Sequence, residues 1–145
     1  MNATLQRFGY PASVVRKYQH WSVLIRPAQI TPFCCVIAAH APVLSLGALP
    51  PAAGAEFPAV VRAFEATVRR LAPAMKFNYL ALMMVDPNPH FHAIPRYAVP
   101  FTLGDASFSD TAYPKPVNPL ADLAVGPATL EQWRTLLADH WIDPA

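Results

Sequence analysis

NPHFHAIPRY, residues Asn88 to Tyr97, preceded by Asp86 and Pro87, decides how the rest of this chain is read. In an extended strand alternate side chains share a face, so His90 and His92 project together, about 6.5 Å apart along the chain. Asn88 has the same parity. Phe91 and Ala93 point the other way, which makes one face polar and the other fit for packing. Three uses of the two imidazoles compete. They are hydrogen-bonded strand residues with no further role, or two ligands of a metal that needs a third and usually a fourth donor. Asp86, His40 or His20 would be the source of those donors. In the third use, one ring attacks a phosphorus while its neighbour, with a near-neutral pKa, serves the phosphate or the leaving group as acid and then base.

Composition narrows the setting. The 145-residue chain is 54% apolar and only 14% charged, which predicts one packed domain rather than a disordered chain. Net charge is +2, and Arg16–Lys17 and Arg69–Arg70 are the only adjacent basic pairs. No polybasic stripe therefore calls for nucleic acid or an anionic membrane. Cys34 and Cys35 are neighbours, so they make poor disulfide partners and no CxxC site. The longest apolar stretch, Phe33 to Ala53, is interrupted by His40, Pro42, Pro50 and Pro51 and is too broken for a membrane helix. With no signal-like N-terminal pattern, the reducing cytoplasm is the expected location.

Periodicity organises the chain around the histidine strand. HWSVLIRP (His20–Pro27) and PFCCVIAAH (Pro32–His40) read as strands, the second apolar enough to be covered on both faces. APVLSLGALPPAAG reads as loop. In EFPAVVRAFEATVRRLAPA, Phe57, Val60, Val61, Phe64, Val68 and Leu71 form a helical stripe, with Pro58 placed in the first turn and Pro73 ending the element. KFNYLALMM (Lys76–Met84) is the next strand, with one of Met83 and Met84 in the core, and a short turn leads to the histidines. Beyond Tyr97 the pattern fades into a Pro-rich arm. TLEQWRTLLADHW closes the chain as a helix, with Leu130, Trp133, Leu136, Leu137 and Trp141 on one face and Thr129 with Gln132 as a capping box. The expected class is α+β: a mainly antiparallel sheet with one central helix and a C-terminal helix. Residues 1–145 form a single domain, with a core over about 18–97 and the arm and last helix over 98–145.

The run HFHAIPRY, with this element order before it, resembles the signature of the histidine triad superfamily, His-x-His-x-His with apolar residues between, often running into Ile-Pro-Arg. VIAAHAPVLSLGAL resembles the family's strand that ends in a histidine before a Ser-Leu loop, and VLIRPAQITPF its strand and Pro-containing turn. The resemblance covers about Trp21 to Tyr97. It implies that His90 is the nucleophile of a nucleotidyl- or phospho-histidine intermediate, that His92 contacts the transferred phosphate and leaving group, and that Asn88 stands where the first histidine orients the motif. Asn hydrogen-bonds there but takes up no proton near neutrality. The family's ribose-binding acid or amide on the first strand falls at about Leu24, and its helper histidine near Pro32. The polar Ser or Gln beside the leaving group has no counterpart.

Asn78, Arg96, Arg26, Gln29 and His40 are the candidate substrate-binding residues. The resemblance implies an enzyme that hydrolyses or transfers at the α-phosphorus of nucleotide conjugates, such as dinucleoside polyphosphates or nucleoside phosphoramidates. No cofactor or metal is needed, and the partners implied are a nucleotide substrate and a second copy of the chain in a homodimer. The alternative is a nucleotide-binding or interaction protein that keeps the fold with weakened catalysis.

Overall fold

A computed structural model of the chain describes residues 2–144. Its elements are α1 (Ala3–Arg7), β1 (Val14–Lys17), β2 (Trp21–Ile25), β3 (Cys35–Ala39), a 3-10 turn at Leu46–Ala48, α2 (Pro51–Leu71), β4 (Ala74–Leu80), β5 (His90–Tyr97), the hairpin β6 (Phe101–Leu103) and β7 (Ala106–Phe108), and α3 (Pro127–Asp139). The first five strands make one sheet in the order β1-β2-β3-β5-β4, every neighbour antiparallel. The histidine strand is thus interior, with Val36 of β3 and Leu80 of β4 on either side of His92.

Strand alternation assigns the two faces. Trp21, Val23 and Ile25 of β2, Cys35, Ile37 and Ala39 of β3, and Ala93 and Tyr97 of β5 join one core with Val60, Phe64 and Val68 of α2 and Trp133 and Leu137 of α3. The residues between them turn to the opposite face. There Leu24, Val36 and Ala38 are covered by Leu5 of α1, while Cys34 and Ile94 meet Ile30, Val117 and Ala121. Because β2 and β3 are covered on both sides, they are fully buried, which is why they read as unbroken apolar runs. Cys34 and Cys35 are both buried free thiols.

Several boundaries differ from the sequence reading. The sheet starts before residue 18, with β1 as an outer strand, and α1 lies ahead of it. The helix α2 begins at Pro51 rather than near Glu56, since a proline in the first turn gives up only an N–H that has no helical partner. Pro58 consequently sits two turns in, not in the first turn. Pro58 and the Gly54 carbonyl that loses its donor are both on the exposed side, where water serves instead. β4 ends at Leu80, and Met83, at φ 51, leaves the extended region. Neither methionine reaches the core: Met84 is 85% exposed. The arm contains the β6–β7 hairpin, turned by Gly104 at φ 59. Thr129 lies inside α3, whose cap is Gly126 followed by Pro127, so the capping box does not form.

A buried ion pair fastens the arm to the sheet. Arg96 Nε donates to Asp110 Oδ2 at 2.7 Å, both side chains being only 3% exposed, and Asp110 also accepts from the Tyr97 amide. Removing one partner leaves the other charge buried and unpaired. Asp110→Ala is expected to lower the unfolding free energy by about 3 kcal/mol or more, read from urea denaturation. Arg96→Met combined with Asp110→Leu should recover part of that loss, since it removes both charges but still costs the Tyr97 amide, Asn78 Oδ1 and the Lys115 carbonyl their bonds; recovery of none would show that the unpaired Arg96 charge is not the source of the loss.

Candidate active site

His90 and His92 stand side by side on β5, their ring centroids 5.1 Å apart and their planes at 80°. Phe8, just after α1, packs on both rings with centroid separations of 5.5 and 5.8 Å. The hydrogen bonds behind the rings set their tautomers. A carbonyl only accepts, so His90 Nδ1 donates to the Asn88 carbonyl at 2.7 Å and Nε2 keeps its lone pair. An Arg Nε–H only donates, so His92 Nδ1 accepts from Arg26 at 3.1 Å and His92 Nε2 carries the proton. The two neighbours are therefore held in opposite tautomers, one offering a lone pair and the other an N–H.

His90 is 2% exposed, and its Nε2 makes no hydrogen bond among the described residues. No fully buried side-chain nitrogen or oxygen among those residues lacks a partner, so Nε2 meets the open cleft. That cleft, about 320 Å³, is lined by both histidines together with Arg7, Phe8, Arg26, Asp86 and apolar side chains of the β4–β5 loop and the arm. Burial, then the Arg26 charge, then His90, push the His92 pKa down from 6.5 to about 4. This corrects the near-neutral value expected for the neighbouring ring. At neutral pH His92 is uncharged, with its proton on Nε2.

Asn88 is a latch whose side chain hydrogen-bonds to neither ring. Its Oδ1 accepts from the amide and the hydroxyl of Thr4 at 3.3 and 3.0 Å, its own amide donates to Thr4 Oγ1 at 3.1 Å, and Nδ2 donates to the Val43 carbonyl at 3.0 Å. Asn2 caps α1 through the Leu5 amide and donates to the Ala39 carbonyl at 2.8 Å. Together these bonds seat α1, and hence Phe8, against the histidines.

Of the other candidates, only Arg26 belongs to the cleft. Besides His92 it reaches the carbonyls of Ala28 and Pro119, tying the strand end to the arm. Asn78 and Arg96 line a neighbouring cavity of about 560 Å³ beneath Pro114, Pro116 and Val117. Arg96 is committed to Asp110, to Asn78 Oδ1 at 2.7 Å and to the Lys115 carbonyl at 2.7 Å. Gln29 is fully buried and staples its own turn, donating to the Arg26 and Cys34 carbonyls and accepting from the Cys34 amide. It does not line the histidine cleft. His40 is hydrogen-bonded through both ring nitrogens, to Ser22 Oγ at 2.8 Å and the Gln19 carbonyl at 3.0 Å, away from the cleft. Leu24 is buried under α1. Thr4, Arg7 and Phe8 escaped the sequence reading: the Leu5–Phe8 spacing is their only signal, and five residues are too few to show a period. Among the described residues no three His, Cys, Asp or Glu side chains group as a metal site, and no helix is long and apolar enough to cross a membrane.

No family model and no curated protein matches the chain by sequence. Solved structures do match it by shape. A histidine triad protein of Sinorhizobium meliloti superposes with a TM-score of 0.71 at 16% identity, over 97% of this chain and 95% of that one. A histidine triad protein of Bradyrhizobium japonicum gives 0.68 at 19% identity, over 88% of each. A hypothetical histidine triad nucleotide-binding protein of Sulfolobus tokodaii gives 0.67 at 10% identity, over 94% and 88%. The chain has the histidine triad fold.

Two measurements test this site. Nitrogen NMR should show the His92 proton on Nε2 and titration near pH 4. Arg26→Gln should raise that value part of the way towards 6.5, since burial, the larger cause, remains. The unfolded chain binds this proton first, so the stability owed to neutral His92 is full above about pH 6.5 and is lost as pH falls towards 4. A His92 titrating at 6.5 would refute this electrostatic picture. Thr4→Val, which strips the buried Asn88 amide of its partner and leaves Asn88 Oδ1 only the Thr4 amide, should cost about 1–3 kcal/mol, while Thr4→Ser should cost little; equal losses would refute the latch.

Proposed function

We propose that this chain is a metal-independent hydrolase or transferase acting at the α-phosphorus of nucleotide conjugates, through a covalent nucleotidyl-histidine at His90. The observation that carries this reading is the pair of opposed tautomers: a lone pair on His90 Nε2 and a neutral N–H on His92 Nε2, both held from behind. His90 Nε2 attacks the phosphorus in line. The bond to the leaving group breaks, and its electrons go with that group. A phosphate or carboxylate needs no proton to depart, and an amine takes one from solvent. His90, now bonded to phosphorus and still protonated at Nδ1, is cationic, and the Asn88 carbonyl stabilises it through the existing 2.7 Å bond. His92 Nε2–H donates to a phosphoryl oxygen as charge develops there. Water then attacks phosphorus, releases one proton to solvent and frees neutral His90 with a nucleoside monophosphate. Asn88 serves this reading by position and by its carbonyl, so a residue that cannot titrate fits the place of the first triad histidine.

The same reading brings a homodimer, for which the outer edge of β4, unpaired in the single chain, offers backbone groups, and a reducing cytoplasm, which suits two buried free thiols. The name of the Sulfolobus neighbour, a nucleotide-binding protein, supports the class of ligand.

The test is intact-mass detection of a nucleotidyl adduct during turnover of nucleotide conjugates, wild type beside His90→Ala. Adduct and turnover should both vanish in the variant, a loss of at least about a hundredfold. Native spectra of the same samples should show twice the chain mass. Undiminished turnover by His90→Ala defeats the mechanism, and binding without adduct or turnover in the wild type establishes the non-catalytic alternative.

A further inference from the structure

Beside the histidine cleft lies a larger cavity, about 560 Å³ against about 320 Å³, that the proposed chemistry leaves unused. Side chains of β4 and β5 make one side of it, and Pro114, Pro116, Val117 and Pro119 of the arm make the other. Proline has no N–H, so this stretch of arm cannot pair along the edge of β4 as a strand would, and a space remains between them. A mainly apolar cavity of this size with a few polar groups is the ordinary form of a small-molecule site.

Two polar residues define what fits. Arg96 is the one charged side chain among the described lining residues, and its charge is already met by Asp110 at 2.7 Å. An ion entering here would leave water without gaining a counter-charge. Asn78 Oδ1 accepts from Arg96 Nη1 at 2.7 Å, which turns the amide nitrogen away from the guanidinium. Asn78 Nδ2 makes no hydrogen bond among the described residues, so the cavity has a free N–H to offer an acceptor.

The cavity is also joined to the histidines. Leu80 and Pro119 line both spaces and so form the wall between them. The Pro119 carbonyl accepts from Arg26 at 3.3 Å, and Arg26 donates to His92 Nδ1. From Pro114 to Leu120 every residue is exposed except the half-buried Val117, and Arg96 on the Lys115 carbonyl is the other hydrogen bond tying this stretch to the sheet. A segment held so lightly opens at low free energy. An occupant resting against four arm residues binds the closed arm better than the open one, and so favours it.

We infer that this cavity is a second binding site, for a small, uncharged and mainly apolar molecule carrying a hydrogen-bond acceptor, and that its occupant holds the arm closed and Arg26 in place against His92. Nothing in this coupling requires turnover, so it stands apart from the His90 chemistry proposed above.

The probe is quinoline at mildly alkaline pH, a neutral bicyclic ring with a single acceptor nitrogen. Naphthalene, which lacks the acceptor, and 2-naphthoate, which adds a charge, are the comparisons. Nitrogen NMR titrations use the full chain, wild type beside Asn78→Asp, an exposed position where the variant keeps an acceptor for Arg96 and loses the N–H. Thermal unfolding checks the fold. Quinoline should shift the Asn78 side-chain amide, and Asn78→Asp should weaken it at least about fivefold while affecting naphthalene far less. Naphthoate should bind at least about tenfold more weakly than quinoline. The Leu123 amide, bonded to the Gln29 carbonyl, exchanges its hydrogen when the arm opens, so quinoline at ten times its Kd should slow that exchange about tenfold. The His92 ring nitrogens should shift along the same titration. Equal affinity in the variant, or naphthoate binding as well as quinoline, would overturn the site. Unchanged Leu123 exchange and His92 signals with quinoline bound would overturn its hold on the arm. Displacement of quinoline by adenosine monophosphate would make the cavity a lobe of the histidine cleft and end its standing as a second site.

Discussion

Strand β5 must satisfy two faces at once, and the rest of the molecule is arranged around that constraint. Its odd positions, Phe91, Ala93 and Tyr97, pack with α2 and the neighbouring strands, and Tyr97 Oη also donates to the Pro32 carbonyl at 2.7 Å. Its even positions carry His90, His92, Ile94 and Arg96. With period-two alternation, a slip of one residue would send both imidazoles into the apolar core and two apolar side chains to the cleft. Register is held on both sides, by β3 opposite His90 and His92 and by β4 from Ala74 to Leu80. The placement of the histidines is therefore set by the same burial that stabilises the domain.

What the strand positions, other segments orient. Arg26, at the end of β2, determines which nitrogen of His92 bears its proton, and the backbone of Asn88 does the same for His90. Neither effect depends on a titratable partner. Arg26 acts twice, as donor and as a charge that adds to burial in keeping His92 neutral. Because its guanidinium also holds the Ala28 and Pro119 carbonyls, the arm takes part in orienting the ring. Thr4 and Asn2 act more remotely, seating the segment that brings Phe8 against both rings.

The parts of this arrangement legible in the sequence are those with a period. The β5 alternation, the buried runs of β2 and β3 and the stripe on α2 all bury apolar side chains repeatedly, and they led to the α+β class and the paired histidines. The short elements α1, β1 and the β6–β7 hairpin, which lack the fully buried runs of β2 and β3, are stabilised by docking rather than by pattern, and they left no comparable trace. Pro50, Pro51 and Gly54 read as a loop because local propensity argues for one, yet the helix starts there. The polar candidates divide for a different reason. Gln29, His40, Arg96 and Arg26 are all polar residues near turns or strand ends, and what separates them is which partners lie within hydrogen-bond distance. Asn88 was legible as a position; Thr4, its partner 84 residues away, was not.

The exposed mouth of the cleft has a consequence for how this protein can change. Leu82, Met84, Val85 and Leu120 contribute little to folding, because they lie outside the sheet and its core. Substitutions there alter the lip of the cleft while leaving the strand that holds the histidines intact. The stability of the domain and the shape of the cleft's opening are thus encoded in separate residues, and drift or engineering can explore the second without eroding the first.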